Sequence, residues 1–463
     1  MGIQDTIFNA GKSIMKSWDT VSSVGSFVDE SFEFILVSDT PFGIKPITSI
    51  VNGFEWYSNM FDNQVCYGYL SVSDTQNNLN EYTEGTSSYL VIRINGIDSV
   101  HKVLKCRKMA SNVPNSYDNV YIFEFMSLIG YQFLRQRSIP QINTLEFPTI
   151  GRMLEHALCS DSNLVESITM SSQAQQYLKS FKPFNGPYED CVYVSDTIGV
   201  ATLKQPRFNS RAEQIDFLCQ YAIPTGYQDV TNTINDFWVW QPNPNIILCE
   251  SITALFKQTP KVKMTYGGLP HDEIFSTEIH CETFELKRMP NSESEKVNVK
   301  ITIDPTSRST SVYKNSVGKI KDKNNLSLNK TTPKTSLNKY EENVSYSIGS
   351  NSDVNRNIDY MNKNGENIND FGFDSRRIEM RNDFFTGLMS FYATISINRN
   401  VWNVTVGSII ELSIYKKPTD NYSSEELDKG LSGRWLVIEK ASHMRSNGKI
   451  GHVYGIVKDS VNG

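Results

Sequence analysis

No stretch of this 463-residue chain approaches the roughly 20 consecutive apolar residues that span a bilayer. Its N-terminus has no basic region followed by an apolar core and a small-residue cleavage site. Stable membrane insertion and secretion are therefore not expected, and the sequence reads as that of a protein made and folded in a cytoplasm. Cysteine is sparse and scattered. The seven residues Cys66, Cys106, Cys159, Cys191, Cys219, Cys249 and Cys281 show none of the short paired spacings that zinc or redox sites need, so reduced and mostly buried thiols are expected. A Gly-rich phosphate cradle, a nucleophile elbow and a zinc-protease helix motif are also missing. What these absences exclude is most of the readily recognised chemistry.

Aromatic residues are plentiful. With 22 Tyr, 24 Phe and 6 Trp, the chain favours pleated, half-buried surfaces, and more strand than helix is expected. Its length allows two to four domains. The net charge of −6 is uneven: residues 291–340 carry ten Lys and Arg against four acids, leaving −12 on the remainder. An acidic body argues against a duplex-gripping surface, which needs clustered cations.

Residues 1–30 place Ile3, Ile7, Ile14, Met15, Trp18 and Val21 at helical spacing, which predicts a helical segment docked on its own domain or on a partner. Residues 31–130 read as short strands: Phe32 to Val37, Val65 to Val72, Tyr89 to Ile94, Lys102 to Met109 and Val120 to Met126. Gly53, Gly85 and Asn95-Gly96 punctuate them, which predicts a first small antiparallel barrel or sandwich. Residues 131–235 are more helical, with Ile150, Met153, Leu154, Ala157 and Leu158 on one face and Ile215, Leu218, Cys219 and Ala222 on another, an expected α/β insert. The runs FWVW and IILC then flank Pro242-Asn243-Pro244-Asn245 and predict a hairpin whose turn is that tetrapeptide.

A second barrel is expected from residues 236–258 together with 383–463. Its strands are marked by Ala393, Ile395 and Ile397, by Trp402, Val404 and Val406, by Ile410, Leu412 and Ile414, by Trp435 to Lys440 and by His452 to Lys458, after a short helix at Phe384, Leu388 and Phe391. Between these parts, residues 259–382 form an additional domain with a polar, partly mobile insertion. Lys321 to Asp370 holds twelve Asn and too little apolar area to offset chain entropy, while the alternation Val297, Val299, Ile301, Ile303 predicts one strand before it.

Side chains with chemical potential are few. His271-Asp272-Glu273 with His280-Cys281 has metal-ligand residue types at a spacing that matches no common site, so it reads as a polar loop and strand end. A Cys281 nucleophile beside His280 is disfavoured because adjacent strand residues face opposite ways. Glu124 and Glu411 could serve acid-base chemistry only if the fold paired them with another carboxylate. Phe237, Trp238 and Trp240 could form a stacking platform for bases or sugars, but hairpin aromatics are more often core. No catalytic, cofactor-binding or metal residue is assigned, and no cofactor is expected.

The order of elements resembles the central hub protein of contractile phage baseplates, a family related to the base of the VgrG spike of type VI secretion. The stretches that carry the resemblance are Phe32 to Asp39 with Gly53 to Asp74 (GFEWYSNMFDNQVCYGYLSVSD), His101 to Met126, Thr149 to Cys159, Arg211 to Leu255 and Asp383 to Asp459. The helix and FWVW hairpin in mid-chain and the WLVIEK to YGIVKD finish give it weight; the N-terminal preface and the Asn-rich insertion depart from it. The resemblance implies an α+β, β-rich fold of two tube-like antiparallel β-barrel domains with an inserted α/β domain. It also implies a homotrimer that adapts a sixfold tail tube protein to a threefold central spike protein among other baseplate proteins, with DNA only passing through the lumen. The implied location is the virion tail baseplate, assembled in the host cytoplasm. The rival readings are a tail-associated cell-wall hydrolase, a VgrG-like secretion spike component and a carbohydrate-binding module.

Overall fold

The computed structural model describes residues 32–38, 43–61, 64–75, 87–94, 97–110, 119–135, 146–160, 172–181, 188–203, 207–225, 235–267, 279–288, 391–398, 403–415, 427–444 and 450–458, with short strands and single positions between them. Among the described residues the structure is β-rich, with one mixed sheet of fourteen strands and few helices. The N-terminal helix, the strand at Val297 to Ile303, the residues His271 to Glu273 and the side chain of Trp402 lie outside the described residues.

The first unit contains β1 (Phe32–Ser38), β2 (Ile44–Pro46), β3 (Val51–Asn59), β4 (Tyr67–Asp74), β5 (Ser88–Ile94), β6 (Ile97–Ala110) and β7 (Asn119–Ser127). All five strands expected here are present. Ile94 pairs with Ile97, so a two-residue connection joins β5 to β6. β3 is an addition to the expected strands, since Gly53 by itself reads as a turn. Gly53 instead sits inside the strand, at a register irregularity against β4, and Phe54 and Ser58 face inward. One glycine at a bulge does not end a strand whose following residues alternate. Phe34, Phe54, Leu70, Leu90, Ile92, Phe123 and Phe125 form the interior of this unit.

The next segment, expected as an insert, holds α1 (Leu128–Arg135), α2 (Ile150–Cys159), α3 (Ser172–Leu178), β8 (Val192–Val194), β9 (Val200–Leu203) and α4 (Arg211–Tyr221). Thr149 and Ser210 cap α2 and α4 by accepting the amides of Arg152 and Glu213. The α4 helix is buried on most sides, at Arg211, Gln214, Ile215, Phe217, Leu218, Cys219 and Tyr221, so it is not the one-sided helix its sequence suggested. Next come β10 (Phe237–Asn243), β11 (Ile246–Ser251) and α5 (Ile252–Phe256). The hairpin turn is tighter than expected. Pro242 and Asn243 lie within β10, where the register shifts, so only Pro244 and Asn245 make the turn. The shifted register lets the strand tolerate a residue with no N–H.

Among the described residues the hairpin pairs with β8, in parallel, and with no strand of the closing segment. It is a middle layer: Phe237, Val239, Ile247 and Cys249 face the insert helices, while Trp238, Trp240 and Leu248 face the closing strands.

The second unit takes β12 (Val262–Tyr266), β13 (Ile279–His280) and β14 (Thr283–Arg288) from the stretch read as an additional domain. The short strands β15 (Val312–Lys314) and β16 (Ile320–Asp322) pair with each other, while β17 (Ile358–Met361) pairs with β18 (Asn367–Ile368) and with β9 of the insert. The closing strands are β19 (Tyr392–Ile397), β20 (Ile409–Ile414), β21 (Gly433–Met444) and β22 (Ile450–Val457). The expected strand at Val404 and Val406 is instead a pair of turns, closed by Val404 N–H on Val401 O and Ser408 N–H on Thr405 O. Both valines are buried without a strand partner, so their alternation reports burial only.

The two units repeat one pattern. In the first the neighbours run β1-β5-β6-β7-β4-β3, and in the second β12-β20-β21-β22-β19-β14, in the same chain order. Every pairing after the first is antiparallel in both; β12 alone runs reversed, parallel to β20. Registers coincide as well. Leu90, Ile92 and Ile94 match Ile410, Leu412 and Ile414; His101 and Val103 match Trp435 and Val437. Phe123 and Phe125 match Tyr454 and Ile456, Leu70 and Val72 match Ile395 and Ile397, and Phe54 matches Phe284. Even the irregularity in the long strand recurs, at Val103/Lys105 and at Val437/Glu439. In each unit one segment also returns the path to its start: residues 44–59 pair with β1 and β4, and residues 279–288 with β12 and β19.

Candidate functional site: the seam between two β units

β21 is long enough to serve three neighbours. Its first residues pair with β20, its length pairs with β22, and its last six residues, Glu439 to Met444, pair with β3 from Asn59 to Phe54. This last pairing fuses the units into a single sheet, and Met60 N–H extends it to Ile438 O at 2.9 Å.

The seam is fastened by buried polar groups. Glu439 is 6% exposed and accepts from Asn59 Nδ2 at 2.9 Å and from the Tyr392 hydroxyl at 3.0 Å, a bond from each unit. Gln241, on β10, joins more elements than any expected site residue. Its Oε1 accepts from Cys66 N–H at 2.9 Å and from Ser127 Oγ at 2.5 Å, its carbonyl accepts from Ser58 Oγ at 2.7 Å, and its N–H donates to Gln64 O at 2.9 Å. Gly130 makes room for it, since a Cβ there would stand 2.7 Å from Gln241 Oε1.

Trp238 and Trp240 hold the other side of the hairpin. Trp238 Nε1 donates to Met60 O at 2.6 Å, and Trp240 Nε1 to Val406 O at 3.1 Å. Trp240 is fully buried, and its ring lies where a Cβ on Gly407 would be at 2.8 Å, so Gly407 (φ +92°) serves both close approach and backbone conformation. Phe61, Trp238 and Phe385 form a mutual cluster with centroids 5.0–5.5 Å apart. The aromatic platform is thus core, and its indole N–H groups are spent on backbone carbonyls.

Cations are buried in carbonyl nests around this layer. Arg381 donates to Asn235 O and Phe237 O, both at 2.7 Å, and lies over the Trp238 and Phe385 rings. Burial lowers its pKa, and burial raises that of Asp236, whose Oδ2 accepts Thr253 N–H. Lys440 donates to Val404 O at 2.8 Å and Lys458 to Ser432 O at 2.6 Å. Lys440 thereby ties the turn at Val404 to β21.

The other weighed residues are dispersed. Cys281 is fully buried, with its thiol pushed up to about 12 by burial, while His280 is exposed beside it. Glu124 faces Tyr69 and Lys105 on the first unit, and Glu411 sits 3.7 Å from Lys263 at the surface of the second. Among the described residues no three His, Cys, Asp or Glu side chains group as metal ligands, and all seven cysteines are free. Among the described residues no helix is long and apolar enough to cross a membrane.

No family model matches the sequence, and no curated protein matches it. Solved structures do. A tail protein from Neisseria meningitidis MC58 is 7% identical with a TM-score of 0.48, covering 93% of this chain and 97% of that one. A 43 kDa tail protein of prophage MuSo2 from Shewanella oneidensis is 9% identical with a TM-score of 0.47, covering 93% and 98%. The E. coli c3393 protein, a type VI secretion system component described as similar to T4 bacteriophage tail proteins, is 8% identical with a TM-score of 0.41, covering 89% and 75%. At those identities and scores the likenesses assign no function by themselves.

The sequence reading missed Ser58, Asn59, Gln241 and Glu439. Gln241 had no local signal, because its role depends on partners far away in sequence.

Proposed function

We propose that this chain is a structural hub of a phage tail baseplate, a homotrimer in which two tube-like barrels per subunit present six equivalent units. The supporting observation is the duplicated strand circuit joined through one sheet: two matching units per chain, repeated three times, reconcile threefold with sixfold symmetry. In this reading the ring docks on tail tube protein at one face and a central spike at the other. DNA passes through the lumen without being gripped, which the acidic charge outside residues 291–340 favours. The role is geometric, not enzymatic, and its place is the virion tail, with assembly in the host cytoplasm.

Mass photometry of the purified full-length protein tests this reading. A species at about 158 kDa, three times the 52.6 kDa chain, is expected. A persistent monomer at micromolar concentration would overturn it.

A further inference from the structure

Two of the cysteines meet in the core. Cys219 on α4 and Cys249 on β11 are each 1% exposed, and their sulfurs lie 3.7 Å apart. They are 30 residues apart in the chain and belong to different layers, the insert helices and the hairpin. Both positions are held by their surroundings. Cys249 lies between Val239 on β10 and Val194 on β8, and its carbonyl accepts Ser195 N–H at 3.0 Å. Cys219 sits on the capped helix α4 beside the fully buried Leu218 and Ile215. The sulfurs touch without being bonded: closing the 3.7 Å contact to a disulfide needs a shift of about 1.6 Å. Small rotations about the two Cα–Cβ bonds cover that distance.

We infer that Cys219 and Cys249 form a redox-gated staple, a dithiol in reducing surroundings that hydrogen peroxide converts to a disulfide joining α4 to β11. One thiol, deprotonated, attacks an oxygen of the peroxide. An S–O bond forms as the O–O bond breaks, and the released hydroxide takes up the thiol proton and leaves as water. The sulfenic acid so formed is then attacked by the second sulfur. The S–S bond forms, the S–O bond breaks and a second water leaves, so two thiols and one peroxide give one disulfide and two waters.

The site explains why such a pair stays reduced until an oxidant arrives. Hydrogen bonding to Cys219 and burial raise the Cys249 pKa well above the ordinary thiol value, which keeps the pair protonated and slow to react. The buried Arg381 guanidinium acts in the opposite direction on Cys249 and favours the thiolate that attack requires. Sulfurs this deeply buried also favour a small peroxide over a bulky disulfide as oxidant. Once closed, the bond joins the insert helices to the middle layer, whose other face packs on the closing strands. It restricts the unfolded chain while keeping the folded contacts, so the oxidised protein is the more stable form. The staple lies within one chain and is independent of the ring reading.

The test treats native, full-length protein with hydrogen peroxide at about pH 8, where thiolate formation is favoured. The protein is then denatured, its remaining thiols are alkylated, and non-reduced peptides are mapped by mass spectrometry. A peptide pair linked through positions 219 and 249 is expected, with the other five of the seven cysteines unlinked. The thermal midpoint is expected to rise by about 3 °C or more and to return on adding dithiothreitol. The double variant C219A/C249A is expected to show no such reversible rise. Peptide mapping of the unmodified chain decides the bond even if that variant does not fold. Cysteines 219 and 249 recovered as free thiols or as sulfinic acids, or linked only after denaturation, overturn the staple. A 219–249 bond that leaves the midpoint unchanged overturns it too, because such a bond constrains nothing.

Discussion

Gln241 shows how one side chain can decide whether several elements meet. Its amide oxygen is the acceptor for a buried backbone N–H and a buried hydroxyl, and neither has water to turn to. Gln241→Ala is expected to cost about 2–4 kcal/mol in urea unfolding, because leaving buried donors unsatisfied costs more than a hydrogen bond gains. His101 makes the case for charge. It is fully buried between the Trp56 and Phe125 rings, with Ser99 Oγ at 2.9 Å from Nε2, and burial holds its pKa down to about 3. Between that value and the ordinary 6.5, the unfolded chain takes up a proton that the folded protein refuses, so stability falls as pH falls through this window. The loss attributable to His101 is expected at about 1.4 kcal/mol per pH unit. Comparing urea midpoints of the parent and His101→Gln from pH 7 to pH 4.5 measures it; equal slopes would show that the ring carries no such penalty.

Among the elements, the β10–β11 hairpin carries the most argument. Its sequence signals of two apolar runs and a proline-bearing turn specify a hairpin whatever surrounds it, and a hairpin forms. Which layer it joins was not legible. Trp238 and Trp240 have the composition of a binding surface, yet in the fold they lie against Met60, Val406, Phe385 and Leu436. Trp240→Ala is accordingly expected to destabilise the protein by about 3–5 kcal/mol, the range for emptying a buried aromatic site. A thermal unfolding scan checks this, and a variant of parental stability that had lost binding to a glycan array would restore the platform reading. The strands at Val262–Tyr266 and Thr283–Arg288 illustrate the opposite gap. Val262, Met264 and Tyr266 alternate with polar residues, as do Phe284 and Leu286, but runs this short carry little weight alone, and only pairing with β20 and β19 makes them part of a unit.

For the whole molecule, the duplicated circuit is what a symmetry adaptor requires. If three copies associate as a ring, negative-stain class averages are expected to show six lobes around an axial opening, not three. Three lobes would mean that the two units are not presented equivalently. The acidic excess outside residues 291–340 belongs to this scale too, because in the proposed ring it would act as a field along the lumen rather than through any one carboxylate.

The sequence by itself determined the β-rich class, the hairpin, the helices at Ile150 and Arg211, and most strands of both units, because periodicity and capping are local and act within a few residues. The tertiary structure decided that two runs of strands with no evident sequence repeat share one register, that β21 crosses from one unit to the other, and that Gln241 and Glu439 fasten the crossing. Those facts depend on pairings between residues as far apart as Asn59 and Glu439. A strand's own pattern fixes which face it buries but leaves its edges free to choose a neighbour.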